Sequence, residues 1–202
     1  MPNLQHTITR QDIMDMVDYA AVRVERRKAV TQLKKHRRLH IGPDVTLYFE
    51  SYDTIWHQIH EMLYIEKGGE AQITDELNAY SSLIPNGREL VCTLMFEIDD
   101  PDRRASALAG LGGVENTVSI RLGDDVIMGV PEDDIERTNA DGKASSIHFL
   151  HFPFSDDQAA FFKRGEGEVL VKIGHEKYGH MAVMPLNICQ ALGADLDDLA
   201  EK

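Results

Sequence analysis

The apolar residues of this chain recur at helical spacing before residue 90 and at every second position after it, and this change of period limits the fold more than any other feature. Ile13, Met16, Val17, Ala20 and Val24, continued by Val30 and Leu33, predict one long helix over about 10–37, opened by Thr9 and Asp12. Gly42-Pro43 stops it, and Val45, Leu47 and Phe49 alternate as in a short strand. A second helix is expected over about 52–67, with Ile55, Ile59, Met62, Leu63 and the stem of Glu66 turned inward and Gly68-Gly69 supplying its left-handed stop. A third, over about 72–82, runs into Leu83-Ile84-Pro85.

Beyond residue 90, Cys92, Leu94, Phe96 and Ile98 point one way and Val91, Thr93, Met95 and Glu97 the other, which predicts a strand buried on most of both faces. Asp100-Pro101 opens a short helix. Val118, Ile120 and Leu122 are expected to meet Val126, Met128 and Val130 across Gly123-Asp124, a type II′ turn sequence. After the acidic connection 132–142, residues 145–154 read as a strand, and Ser155 with Gln158 forms a capping box for the next helix. Residues 167–175 and 179–184 predict a hairpin, and Pro185 opens a last helix through Leu192. Runs of helix followed by runs of strand give an α+β fold, with the N-terminal helices packed on a mainly antiparallel sheet of about six or seven strands. At 202 residues one core suffices, so a single domain is expected over 1–202, helical over about 1–86 and mainly β over about 87–202.

The net charge of −13 is unevenly spread. Residues 1–40 hold nine Lys and Arg against four Asp and Glu, and the remainder twelve against thirty. So acidic a body argues against nucleic acid as a partner, because phosphate contacts need a basic footprint. No window offers the run of apolar residues a membrane helix needs, and the first residues lack a secretory pattern, so the expected location is the cytoplasm with no membrane partner. Cys92 and Cys189 lie in apolar stretches without metal or redox spacing and read as buried hydrophobes. A long helix and a half-exposed sheet commonly bury their remaining apolar surface on a twofold copy, so a homo-oligomer is expected.

Glu50, Thr54, Gln58, Glu61, Met62 and Glu66, with NAYSSLIP at 78–85 and the basic run KKHRRLHIGP at 34–43, resemble the DUF3501 family of bacterial proteins, named only as a domain of unknown function. The resemblance covers essentially the whole chain. It implies a redox or peroxide-stress setting, because the family's genes often lie beside those for a rubrerythrin-like protein and an iron–sulfur protein; with the segregated charge and no recognisable catalytic set, the expectation is an accessory or adaptor protein that docks on a redox or iron–sulfur partner, the alternative being a metal-binding protein or metal-dependent enzyme that uses the His57, His60 and Glu61 face. The resemblance itself assigns no residue a role.

Two groups of residues are candidate sites. His57, His60 and Glu61 stand at i, i+3 and i+4 on one helical face, beside Asp53 and Tyr64. Imidazoles and a carboxylate so placed suit a divalent metal, with Glu50 or Glu66 as further ligands; hydrogen-bonded or solvated side chains are the alternative. Arg23, Arg26, Arg27 and Lys28, followed by Lys34, Lys35, Arg37 and Arg38, form two basic clusters on the first helix. Arg23, Arg26 and Arg27 make a forked donor group for an anion or an acidic partner, or for acidic groups of the chain itself. His175 and His180 would face each other if their hairpin closed over the four residues between them, whereas His148 and His151 differ in parity and point to opposite faces. GLGG at 110–113 follows a helix instead of opening one, the wrong setting for a dinucleotide site.

Overall fold

The structure, a computed structural model, describes residues 5–132 and 144–198. The acidic connection 132–142 therefore lies, apart from Glu132, outside the described residues. The fold is α+β, and its strands form two antiparallel sheets among the described residues. One has five strands in the order β1 (Arg38–Ile41), β2 (Val45–Phe49), β3 (Glu89–Phe96), β7 (Ile147–Pro153) and β6 (Val130–Pro131). The other has four, ordered β5 (Asp125–Met128), β4 (Val118–Leu122), β8 (Val169–His175) and β9 (Tyr178–Val183). The expected six or seven strands are thus exceeded and divided between two layers.

The period-two reading of β3 explains how the layers stack. Leu90, Cys92, Leu94 and Phe96 join a core shared with Val118, Ile120, Val171 and Ile173 of the second sheet, while Val91 on the opposite face belongs to a separate core. That second core is built from α2 (Tyr52–Glu66), through Ile55, Ile59 and Leu63, together with Ile13 and Ile73. The five-stranded sheet is therefore covered by the second sheet on one side and by the N-terminal helices on the other, as two-faced burial of its central strand requires. Tyr178 links the layers, donating from its hydroxyl to Ile41 O at 2.8 Å and accepting from the Asp44 amide at 3.0 Å. Gly42 makes this approach feasible: its φ is 69°, and a Cβ there would lie 2.6 Å from the His180 ring.

Local signals placed the later helices. Asp100 caps α4 (Pro101–Leu108) by accepting from the Arg103 amide at 2.7 Å, and the Ser155/Gln158 capping box opens α5 (Asp156–Arg164). Pro185 precedes α6 (Leu186–Gly193). Gly123 has a φ of 58° in a two-residue turn. That turn sets Leu122 against Asp125 and Ile120 against Ile127, so Val126 and Met128 are not the facing residues expected. They point outward, 59% and 49% exposed, because a one-residue change of register moves a whole strand face.

The long first helix is also corrected. Residues Arg10–Asp12 form a single 3-10 turn, Ile13 is extended, and Asp15 caps α1 (Met16–Lys34) by accepting from the Val17 amide at 2.8 Å. The basic run after Lys34 enters β1, whose residues alternate exposed and buried. Helix α2 ends at Lys67, which itself adopts the left-handed conformation (φ 56°, ψ 36°), while Gly69 takes a positive φ in opening α3 (Gly69–Tyr80). A side chain in that region carries about 1 kcal/mol of strain. Lys67→Gly is expected to stabilise the protein by about 0.5–1 kcal/mol, read as a raised urea midpoint at unchanged slope.

Candidate functional site

The two candidate groups turn out to be partners. Helix α1 lies against α2, and its inward positions are Met16, Tyr19, Arg23, Arg26, Val30 and Leu33, spaced alternately three and four residues apart. The stripe expected to be inward, Val17, Ala20 and Val24, instead faces solvent, with Val17 79% and Val24 65% exposed. Hydropathy misassigned the faces because two arginines occupy inward positions, where their flat guanidinium groups lie over aromatic rings: Arg23 over Tyr64 at 4.5 Å and Arg26 over Trp56 at 4.9 Å.

Arg23 also grips Glu61, with Nε and Nη2 each 2.8 Å from a separate carboxylate oxygen. Tyr19, the one fully buried residue of α1, donates its phenol proton to Glu61 Oε1 at 2.8 Å. His57 meets the same phenol oxygen through Nδ1 at 3.1 Å, and since the phenol proton points to Glu61, the imidazole is the donor. The Arg23 guanidinium, helped by Tyr19, holds the Glu61 carboxyl down to about 2 against the opposing effect of its burial. Burial outweighs the attraction of Glu61 and lowers His57 from its ordinary value.

His60 is turned the other way, into the helical core. Its Nδ1 donates to Trp56 O at 2.7 Å, its Nε2 accepts from the Met14 amide at 3.0 Å, and its ring stacks on Trp56 at 3.7 Å. Both nitrogens therefore have partners and the ring is neutral. Burial pushes its pKa down to about 4 from 6.5. A base depressed in this way contributes stability that is complete above about 6.5 and is lost as pH falls toward 4. Imidazole NMR should show His60 titrating near 4 on acidification, with the neutral ring protonated on Nδ1.

The structure thus brings His57 and Glu61 together on the Tyr19 hydroxyl, whereas His60 packs its ring against that of Tyr19 and commits both nitrogens elsewhere. A metal held by the three would have to displace Arg23 from Glu61 and break the Met14 contact of His60. Among the described residues no group of three or more His, Cys, Asp or Glu is arranged to hold a metal ion. Of the further ligands considered, Glu50 accepts from Thr54 and Thr93, and Glu66 from Gln72.

The other histidines are placed as follows. Strands β8 and β9 close over two residues, not four, so His175 pairs with Tyr178 and His180 with Ile173 instead of with each other. His148 and His151 lie on opposite faces of β7, as their parity requires. His148 is fully buried with Nε2 2.9 Å from Ser145 O, and His151 lies between Glu89 at 3.1 Å and Glu132 at 3.4 Å. Those carboxylates, Glu89 foremost, raise the His151 pKa. Cys92 and Cys189 are buried thiols, as expected.

Sequence reasoning did not single out Tyr19, Trp56 or the pair Arg37 and Asp195. Arg37 is 1% exposed, and its Nη2 lies 2.6 Å from both oxygens of Asp195, which follows α6. The basic density of the first segment pointed at Arg37, but its partner lies 158 residues away and carries no local signature.

A two-layer β-sandwich with an arginine-bearing helix clamped across its helical face defines an α+β protein without a membrane-crossing helix among its described residues. The chain belongs to the DUF3501 family, described as a protein of unknown function, whose profile matches residues 7–196. It is similar to a solved structure of a novel protein of unknown function from Burkholderia pseudomallei, at 36% identity and a TM-score of 0.87, over 95% of this chain and all of the other. No curated protein matches it.

Proposed function

We propose that the protein is an accessory protein that docks on an acidic partner through the outer face of α1. The observation that carries this reading is the exposure of Val24 beside Arg27 and Lys28, with Val17 exposed two turns earlier, on a helix of which one residue alone, Tyr19, is buried. An exposed apolar side chain with cations one turn on provides an adhesive contact with an electrostatic flank, and the basic residues of α1 lie in the one net-positive segment of a chain that is otherwise acidic. The redox or iron–sulfur partner implied by the family resemblance is the class we favour. Arg23 and Arg26 serve this role indirectly, by holding the helix to α2, so Arg27 and not Arg26 is the arginine to reverse.

The test is affinity capture from source-cell extract with the wild type, Arg27→Glu/Lys28→Glu and Val24→Asp. An acidic protein that elutes with salt, rebinds after purification and is recovered about tenfold less by both variants supports the proposal. Equal recovery by all three proteins refutes it. So does sedimentation of the wild type as a dimer that Val24→Asp converts to monomer, because the face would then belong to a second copy.

A further inference from the structure

Strand β7 carries a histidine whose two ring nitrogens each meet a carboxylate. His151 Nδ1 lies 3.1 Å from Glu89 Oε2 of β3, and its Nε2 lies 3.4 Å from Oε1 of Glu132, the residue after β6. The three side chains are 20%, 12% and 13% exposed, so solvent screens neither contact strongly. Among the described residues, neither carboxylate has a lysine or arginine partner. Glu115, on the 3-10 turn packed against β6, faces His148 on the opposite side of β7.

An imidazolium donates through both nitrogens and so satisfies Glu89 and Glu132 together, whereas a neutral ring has one N–H to give. Glu89 is the nearer carboxylate and has the larger hold on the ring, so the remaining proton stays on Nδ1 and the Nε2 lone pair is left facing Glu132. Repulsion then replaces attraction at Glu132 alone. That contact matters because β6 has little else to tie it to β7. The strand is two residues long, paired through Val130 with His151 and through Pro131 with Leu150, and the proline has no N–H to contribute. The next amide, that of Glu132, donates to Phe149 O at 3.3 Å. Strand β6 is also the edge of its sheet, and without it the backbone groups of β7 form the edge instead.

We propose that His151 is a pH-operated latch: its cation, bridging Glu89 and Glu132, fastens β6 to the five-stranded sheet, and loss of its proton frees β6 from the edge of β7. The sign follows from the two carboxylates, Glu89 foremost, which favour the cation over the opposing effect of burial. A base raised on folding contributes stability that is complete below about 6.5 and is lost as pH rises through its folded value. The strand is thus fastened in mild acid and freed toward alkaline pH. The latch does not depend on the docking role of α1.

NMR of the full chain from about pH 5.5 to about 9 tests this. The His151 ring should titrate above 6.5, and with the same midpoint the Glu132 amide should lose about threefold or more of its exchange protection, corrected for intrinsic exchange. Glu132→Gln should lower the midpoint of the ring, and His151→Gln should leave the protection low at every pH. The proposal is overturned if the ring titrates at or below 6.5, if protection of the Glu132 amide does not follow it in the wild type, or if folded His151→Gln keeps the wild-type response. The wild-type titration decides the matter even if a variant fails to fold.

Discussion

Tyr19→Ala should destabilise the protein by about 3–5 kcal/mol, the loss expected when a buried aromatic is cut to a methyl group. The effect should be largest at α1, because Tyr19 is the one residue of that helix wholly removed from water and sits against Trp56, His60 and Tyr64 at centroid distances of 5.9, 4.9 and 6.2 Å. Hydrogen exchange should show α1 losing protection before α2 and the sheets, since α1 packs chiefly on α2. Tyr19→Phe keeps the ring and removes only the hydroxyl shared by Glu61 and His57, and should lower stability by about 1 kcal/mol. Equal protection of α1 in Tyr19→Ala and wild type would mean that the helix is held elsewhere. The sign of the pH response follows from Glu61. A carboxyl whose pKa falls from 4.5 to about 2 on folding contributes stability fully present above 4.5 and lost as pH falls through that interval. The α1 attachment should therefore persist through mildly acidic conditions and fail only near pH 2 to 3, as far as Glu61 controls it.

Features set by neighbours in sequence were legible, and those set by distant partners were not. The alternation in β3 reported correctly that both its faces are buried, and the caps at Asp100 and Ser155 and the turn at Gly123 were readable because each is a local hydrogen-bonding or φ requirement. The same locality explains the failures. Arginine on a helix reads as solvated, yet Arg23 and Arg26 face inward because α2 offers Tyr64 and Trp56 as platforms, and that offer is invisible in the first helix alone. Strand β1 is four residues long and emerges from a basic run, so between a helix expected to about 37 and the stop at Gly42-Pro43 its alternation of Leu39 and Ile41 is too short to read as a strand. The polar side chains of His57, His60 and Glu61 are all hydrogen-bonded, because polar residues on a partly buried helix need partners. For His57 and Glu61 the partners are an arginine and a tyrosine of the first helix, and the sequence carries no hint of which face of that helix bears them.

The pair Arg37 and Asp195 separates a structural demand from a functional one. Both side chains are nearly inaccessible, at 2% and 8% exposure. Burial drives the Asp195 carboxyl above its usual range even though Arg37 pulls it down. A carboxyl raised on folding weakens the folded state as pH climbs through its folded value, so at neutral pH the ionised pair bears a desolvation penalty that its attraction does not fully offset. Asp195→Ala, which strands a buried guanidinium already lacking an acceptor at Nε, should lower stability by about 3–5 kcal/mol. Arg37→Met combined with Asp195→Leu removes both charges at similar volume and should restore most of that loss, to within about 1 kcal/mol of wild type in urea denaturation. If the double variant is as unstable as Asp195→Ala, the pair is a net structural asset and its burial requires no further explanation. If stability returns, an apolar pair serves the fold equally well, and the two buried charges are not held there for stability.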